Sequence, residues 1–148
     1  METFESIDAV LDFAIKKEEE AAAFYVKLAA KMEKPWMRET FSDFAQEELG
    51  HKAKLLEVKA GKTLMSAEAK VQDLKVGDYL VESEPQDDMD YQDALILAMK
   101  KEKAAFKLYV DLAASTEDEG LRQIFLGLAQ EEAKHKLRFE IEYDDMLE

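Results

Sequence analysis

The chain has no cysteine, which excludes disulfides, thiol catalysis, iron–sulfur clusters and zinc–thiolate centres. Two prolines and five glycines in 148 residues leave long stretches free of helix breakers. There is no apolar run of membrane-spanning length, and the first residues lack the pattern of a secretory leader. Cationic residues are in deficit: 20 Lys and Arg against 34 Asp and Glu give a formal charge of −14. Such a surface argues against nucleic acid, whose phosphates demand basic side chains, and is repelled by an anionic membrane face. A cytoplasmic protein fits these features. Histidine is nearly absent too, with only His51 and His135.

Both histidines fall inside an internal repeat. Glu48-Leu49-Gly50-His51 returns 84 positions later as Glu132-Ala133-Lys134-His135. Glu18, seven residues before Tyr25, returns as Glu102, seven residues before Tyr109. The match extends to Phe41 and Phe125, and to Ala45-Gln46-Glu47-Glu48 and Ala129-Gln130-Glu131-Glu132. A repeat of this length dictates architecture: one helix-turn-helix unit, a connector, and the unit again. Neither half can bury its apolar stripe alone, so the halves are expected to pack together.

Leu, Ala and Phe recur at three- and four-residue spacing, which predicts an all-α chain. A single domain over residues 1–148 is expected, with repeat halves of about 1–61 and 88–148 and a connector of about 62–87. Helix 1 is predicted over about 3–32, with Ile7, Leu11, Ala14, Ala21, Tyr25 and Leu28 inward and Glu18 amid them. Helix 2 follows from Pro35, a residue suited to a first turn, to about Ala60, with Gly61 ending it. Its inward stripe is Met37, Phe41, Phe44, Glu48, His51 and Leu55. The connector holds Gly77, Pro85 and an acidic patch of Glu82, Glu84, Asp87 and Asp88, and residues 65–70 suit a short helical turn. Its length suits a crossover along an antiparallel four-helix bundle. Helix 3 is predicted over about 90–115. Thr116-Glu117-Asp118-Glu119 has the pattern of a capping box for helix 4.

A Glu and a His three apart share one helical face and can reach one metal ion. Glu18 and Glu102 come from the other helix of each pair. A pseudo-two-fold between the halves would bring Glu18, Glu48, His51, Glu102, Glu132 and His135 around two metals. Four carboxylates balance two divalent cations, whereas without metal their burial is costly. An oxygen-rich set with two imidazoles favours iron or manganese, and zinc would occupy it without redox chemistry. A lone Glu-x-x-His on an acidic helix is weak evidence, but here both histidines of the chain lie in the repeated motif. Glu19, Glu20, Glu47 and Glu131 are expected in solvent. Tyr25 and Tyr109 lie two turns beyond Glu18 and Glu102. They are candidates to hydrogen-bond ligand carboxylates or to supply an electron, and equally read as core aromatics.

With these motifs the chain resembles the rubrerythrin branch of the ferritin-like di-iron superfamily over essentially its whole length. That resemblance implies a ferritin-like bundle with two iron ions held by the six residues named above. It makes Glu18 and Glu102 the more terminal carboxylates and Glu48 and Glu132 the bridges. It also implies reduction of hydrogen peroxide, or of oxygen, to water in defence against oxidative stress. Two departures stand out. The cysteine-ligated rubredoxin domain that feeds electrons to rubrerythrins is absent, so electrons would come from a separate redox protein. The extra ligand Glu one turn after the helix-3 Glu is here Ala105, which bears on the peroxidase reading. A ferroxidase or iron-handling protein is the alternative, and a structural metal-binding bundle a third. A homodimer is expected, since faces rich in Phe, Met and Leu remain once a four-helix core is filled.

Overall fold

The computed structural model describes residues 3–4, 6–61, 74–81 and 90–147. Among the described residues there are four long helices, as the periodicity predicts: α1 (Ile7–Ala30), α2 (Pro35–Gly61), α3 (Tyr91–Ala114) and α4 (Glu119–Leu147). They group into two compact units, Asp8–Lys62 and Met1–Ile7 with Thr63–Glu148. Those units coincide closely with the two repeat halves.

The first unit is a helical hairpin. On α1, Leu11, Ala14, Glu18, Ala21, Tyr25 and Leu28 are buried, the three- and four-residue rhythm of an inward stripe. On α2, Phe41, Ala45, Glu48, His51, Leu55 and Val58 do the same. The antiparallel register is fixed by pairs along the hairpin. Lys59 meets Asp12, Lys52 meets Glu19 at 2.9 Å, and the Tyr25 and Phe44 rings meet edge-on at 6.3 Å.

The second unit repeats this arrangement. Leu95, Ala98, Glu102, Tyr109 and Leu112 of α3 are buried, as are Phe125, Leu128, Glu132, His135 and Phe139 of α4. Phe41 and its repeat partner Phe125 are both almost wholly buried, each contributing about 1.5–3 kcal/mol from water exclusion. Asp90 caps α3, its carboxylate accepting from the Asp93 amide at 2.8 Å.

The start of α4 corrects the sequence expectation. Asp118, not Thr116, is the N-cap: its carboxylate accepts from the Leu121 amide at 3.1 Å. The Thr116 hydroxyl instead accepts from the Asp118 amide, also at 3.1 Å, tightening the approach to the helix. An aspartate immediately before the first helical residue beats a matching four-residue pattern whose register is off by two.

Both hairpin turns are held by the same device. Arg38 Nε donates to the Met32 carbonyl at 2.7 Å, and Arg122 Nη2 donates to the Thr116 carbonyl at 3.0 Å. Arginine and acceptor are each 84 residues apart, so this staple was duplicated with the hairpin. Each bond runs from a charged donor to a turn carbonyl that no helix satisfies. Arg122→Ala is therefore expected to destabilise the chain by about 1.5–3 kcal/mol, read from chemical denaturation. An unchanged midpoint would show that water replaces the guanidinium at no cost.

Of the connector, residues 74–81 form a strap on the second unit, with a 3-10 turn at Val76–Tyr79. Tyr79 is buried, donates to Asp111 at 2.6 Å and stacks near Phe4 at 6.1 Å. Burial first, and then the Asp111 carboxylate, push its hydroxyl well above the usual phenol range. Thr3 bridges to Lys75, so the N-terminal residues belong with this unit. The readings made for residues 65–70, Pro85 and the acidic patch lie outside the described residues.

Candidate metal centre

Glu18 reaches the interior because it falls in the apolar stripe of α1, where periodicity leaves it no route to water. Glu48 and His51 occupy the matching stripe of α2, one turn apart. All three are buried. His51 Nδ1 lies 3.6 Å from Glu18 Oε2 and 3.9 Å from Glu48 Oε2. The second unit carries the same triad in the same register. Glu102, Glu132 and His135 are each at most 2% exposed, and His135 Nδ1 lies 3.7 Å from Glu102 Oε1.

These separations are too long for direct hydrogen bonds. They are close to what a shared ion imposes: two ligand atoms each ~2.1 Å from one metal stand ~3.0–3.6 Å apart. Within each triad the donor atoms all lie within 4.8 Å of one another. Two carboxylates and an imidazole gathered in the interior are a costly arrangement for a helical hairpin unless a cation joins them. The donor set, two oxygens-bearing groups to one nitrogen, suits iron, manganese or zinc. Each half of the chain thus brings together its three sequence-predicted ligands.

The tyrosines divide from the ligands. Tyr25 and Tyr109 are fully buried, two helical turns beyond Glu18 and Glu102. Tyr25 packs among Phe24 and Phe44, with ring centroids 5.6 and 6.3 Å away. Ala105 is half-buried one turn beyond Glu102, with no carboxylate to offer. Glu19, Glu20, Glu47 and Glu131 lie at or near the surface, three of them paired with lysines: Glu19 with Lys52, Glu20 with Lys17, Glu131 with Lys134.

One buried acid escaped the sequence reading. Glu142, two turns beyond His135 on the same face of α4, is buried and pairs with Arg138 at 2.9 Å. Its charge, after burial, pushes the Tyr91 hydroxyl above its usual range, and Arg138 opposes the shift. The repeat equivalent of Glu142 is the buried Val58, so packing at this position accepts an aliphatic side chain. A signal was present: an acid at an inward register where the first half has valine.

Comparison with known proteins agrees with the geometry. Over 99% of its length the chain resembles a protein of Thermotoga maritima described as a ferritin-like diiron-carboxylate protein, with a TM-score of 0.80, 18% identity and 99% of that chain covered. A hypothetical protein of Pyrococcus furiosus is similar over 99% of this chain and 97% of its own, with a TM-score of 0.73 and 25% identity. These likenesses give the fold: all-α, of the ferritin-like four-helix type. No curated protein sequence matches significantly. The rubrerythrin family matches residues 9–143, nearly the whole chain and both buried triads, and the chain belongs to that family.

Proposed function

We propose that the chain is a di-iron oxidoreductase that reduces hydrogen peroxide, or oxygen, to water in defence against oxidative stress. The observation that carries this reading is the duplicated buried triad of two carboxylates and an imidazole. Family membership supports iron as the metal. In this reading Glu18, Glu48, His51, Glu102, Glu132 and His135 would hold two iron ions, and the family resemblance would make Glu18 and Glu102 the more terminal carboxylates and Glu48 and Glu132 the shared ones.

Two ferrous ions held there would supply the two electrons that, with two protons, reduce one peroxide to two waters; oxygen needs four electrons, the second pair coming from the external electron donor. The chain's own part is to balance charge, fix geometry and keep the surroundings dry. Four carboxylates neutralise two divalent cations, and Phe41 and Phe125 are among the buried apolar groups of the same helices. In the same reading Tyr25 and Tyr109 would hydrogen-bond a ligand carboxylate or supply an electron during oxidation. The 148 residues hold no cysteine to bind a redox iron of their own, which supports a separate redox protein as the proposed source of reducing equivalents. Manganese or zinc would occupy the same donors, zinc without turnover.

Ala105 favours a second reading, ferroxidase or iron-handling activity, because the additional carboxylate associated with peroxidase chemistry is missing. One experiment separates them. The chain is loaded anaerobically with two ferrous ions and mixed in stopped flow with peroxide and, separately, with oxygen. Faster oxidation by peroxide supports the peroxidase; faster oxidation by oxygen supports ferroxidase chemistry. Rates equal to those of free ferrous iron with both would sink both.

A further inference from the structure

We infer that the groove between the strap and α3 binds an amphipathic anion, an unbranched fatty acid whose carboxylate is held by Lys100 and Lys103. The groove has a volume of about 570 Å³, and Leu80, Val81, Lys100, Lys103, Phe106 and Val110 are among the residues that line it. That volume is in the range of small-molecule sites. It matches a single ligand molecule rather than a protein partner, which takes about 800 Å² of surface from each side.

Both walls are in place before a ligand arrives. Tyr79 is buried and its hydroxyl donates to Asp111 at 2.6 Å, which ties this end of the strap to α3. At the other end the Phe4 amide donates to the Leu74 carbonyl at 3.4 Å, and Thr3 bridges to Lys75. Leu80 directly follows the Tyr79 anchor, yet it is 50% exposed, and Phe106 of α3 is 40% exposed. Two large apolar side chains kept in water on the walls of one groove carry a cost that an apolar occupant removes.

Charge runs unevenly along the groove and sets the direction of the ligand. Lys100 and Lys103 are exposed and one helical turn apart. Lys107, the third ammonium, is already engaged, 2.9 Å from the Asp111 carboxylate and over the Tyr79 ring. Asp78 adjoins Tyr79, so the carboxylate that lines the groove belongs to the Asp111 end. An anionic head is drawn to Lys100 and Lys103 and repelled from the opposite end, which leaves the apolar walls to the tail. The other lining residues, Leu80, Val81, Ala104, Phe106 and Val110, offer no polar side chain to a base or a sugar. From Lys100 to Val110 α3 rises about 15 Å, about the length of extended dodecanoate. A bilayer is a poor source of the same chemistry, because an anionic membrane face repels a chain of net charge −14.

The repeat supplies an independent control. The first-half equivalents of Lys103, Phe106 and Lys107 are Glu19, Ala22 and Ala23. A helical hairpin of this register therefore forms without the lysines or the ring, and their presence on α3 is not a demand of the fold. It also supplies substitutions that a helix in this register accepts: Lys103→Glu and Phe106→Ala.

The test is calorimetric titration of the full chain with octanoate, decanoate and dodecanoate, all as monomers in solution. One molecule is expected to bind per chain, and each step of two methylenes should tighten binding about tenfold. Tetradecanoate should gain little more, because its tail outruns the groove. Lys103→Glu, which removes an ammonium from the head and puts a carboxylate there, should weaken dodecanoate at least about tenfold. Phe106→Ala should weaken it about tenfold through the tail. Circular dichroism checks that both variants remain helical. No heat from dodecanoate at about 1 mM would overturn the inference, as would an affinity that ignores chain length or survives both substitutions. Flotation with phosphatidylglycerol vesicles is expected to leave the chain unbound. Binding to vesicles without binding to the free acids would overturn the inference in favour of a lipid surface. None of these readouts involves metal, so the outcome is independent of the redox reading.

Discussion

Under the proposed di-iron reading, Glu132→Ala is expected to abolish binding of both metal ions, whereas His135→Ala abolishes binding of one. The difference follows from the roles proposed for the two residues. A terminal histidine serves a single ion, and the other ion keeps its own imidazole and carboxylates. A bridging carboxylate serves both, and its loss also leaves three negative charges to hold four positive ones. Two separate mononuclear sites predict otherwise, since Glu18, Glu48 and His51 are drawn together within one hairpin and would hold an ion whatever happened to Glu132. Metal analysis after anaerobic loading and desalting distinguishes the cases: about two ions per chain in the wild type, about one in His135→Ala, and well under one in Glu132→Ala.

Oxidation should follow metal content more steeply than in proportion. Reduction of peroxide takes two electrons, and one ferrous ion gives one. A chain holding a single ion has to borrow the second electron from elsewhere, so both variants should consume peroxide at least about a hundredfold more slowly, beyond the 10–100-fold usual for outer-shell changes. Glu48→Ala, the repeat counterpart, should behave as Glu132→Ala does. If Glu132→Ala kept one tightly bound ion, the bridging role would be wrong and the two triads would be independent sites.

Much of this was legible in the sequence because the informative residues carry opposing signals. An apolar stripe that recurs every three or four residues is strong evidence for a helix, and a Glu or His inside that stripe is strong evidence against simple packing. Glu18, Glu48 and His51 show that conflict, and the 84-residue repeat shows it twice. Chance readily supplies one Glu-x-x-His, but not two in register with every histidine of the chain. Other features were illegible for identifiable reasons. The cap of α4 is not legible because Thr116 and Asp118 are both good capping residues, and only the backbone decides which precedes the helix. The arginine staples use carbonyl acceptors, which every residue has, so no side-chain pattern announces them. Glu142 sits in an acidic C-terminal stretch where another carboxylate looks like solvent-facing charge. Only the alignment with Val58 separates it from its neighbours.

The metal ligands should also reveal themselves through stability, with opposite signs in the loaded and metal-free chain. At a free metal concentration of about 1,000 times the dissociation constant, binding to the folded state alone adds about 4 kcal/mol. For a chain of this size each kcal/mol moves the melting midpoint by about 2–4 °C, so chelation should lower it by about 8–16 °C. Now consider Glu48→Leu/Glu132→Leu. In the metal-free chain it removes two carboxylates that are each about 1% exposed and puts apolar side chains of similar size in their place. Exchanging buried charge for well-packed apolar groups is neutral or stabilising by about 1–4 kcal/mol. The double variant should therefore melt above the metal-free wild type and below the loaded one, and should gain nothing from added metal. Calorimetry of the four samples, wild type and variant with and without ferrous or cobaltous ion, reads all of this at once. A double variant that melts below the metal-free wild type would mean that the glutamates contribute to the fold by themselves. The opposite order means that they are kept at a cost in stability, and that only the ion they bind repays it.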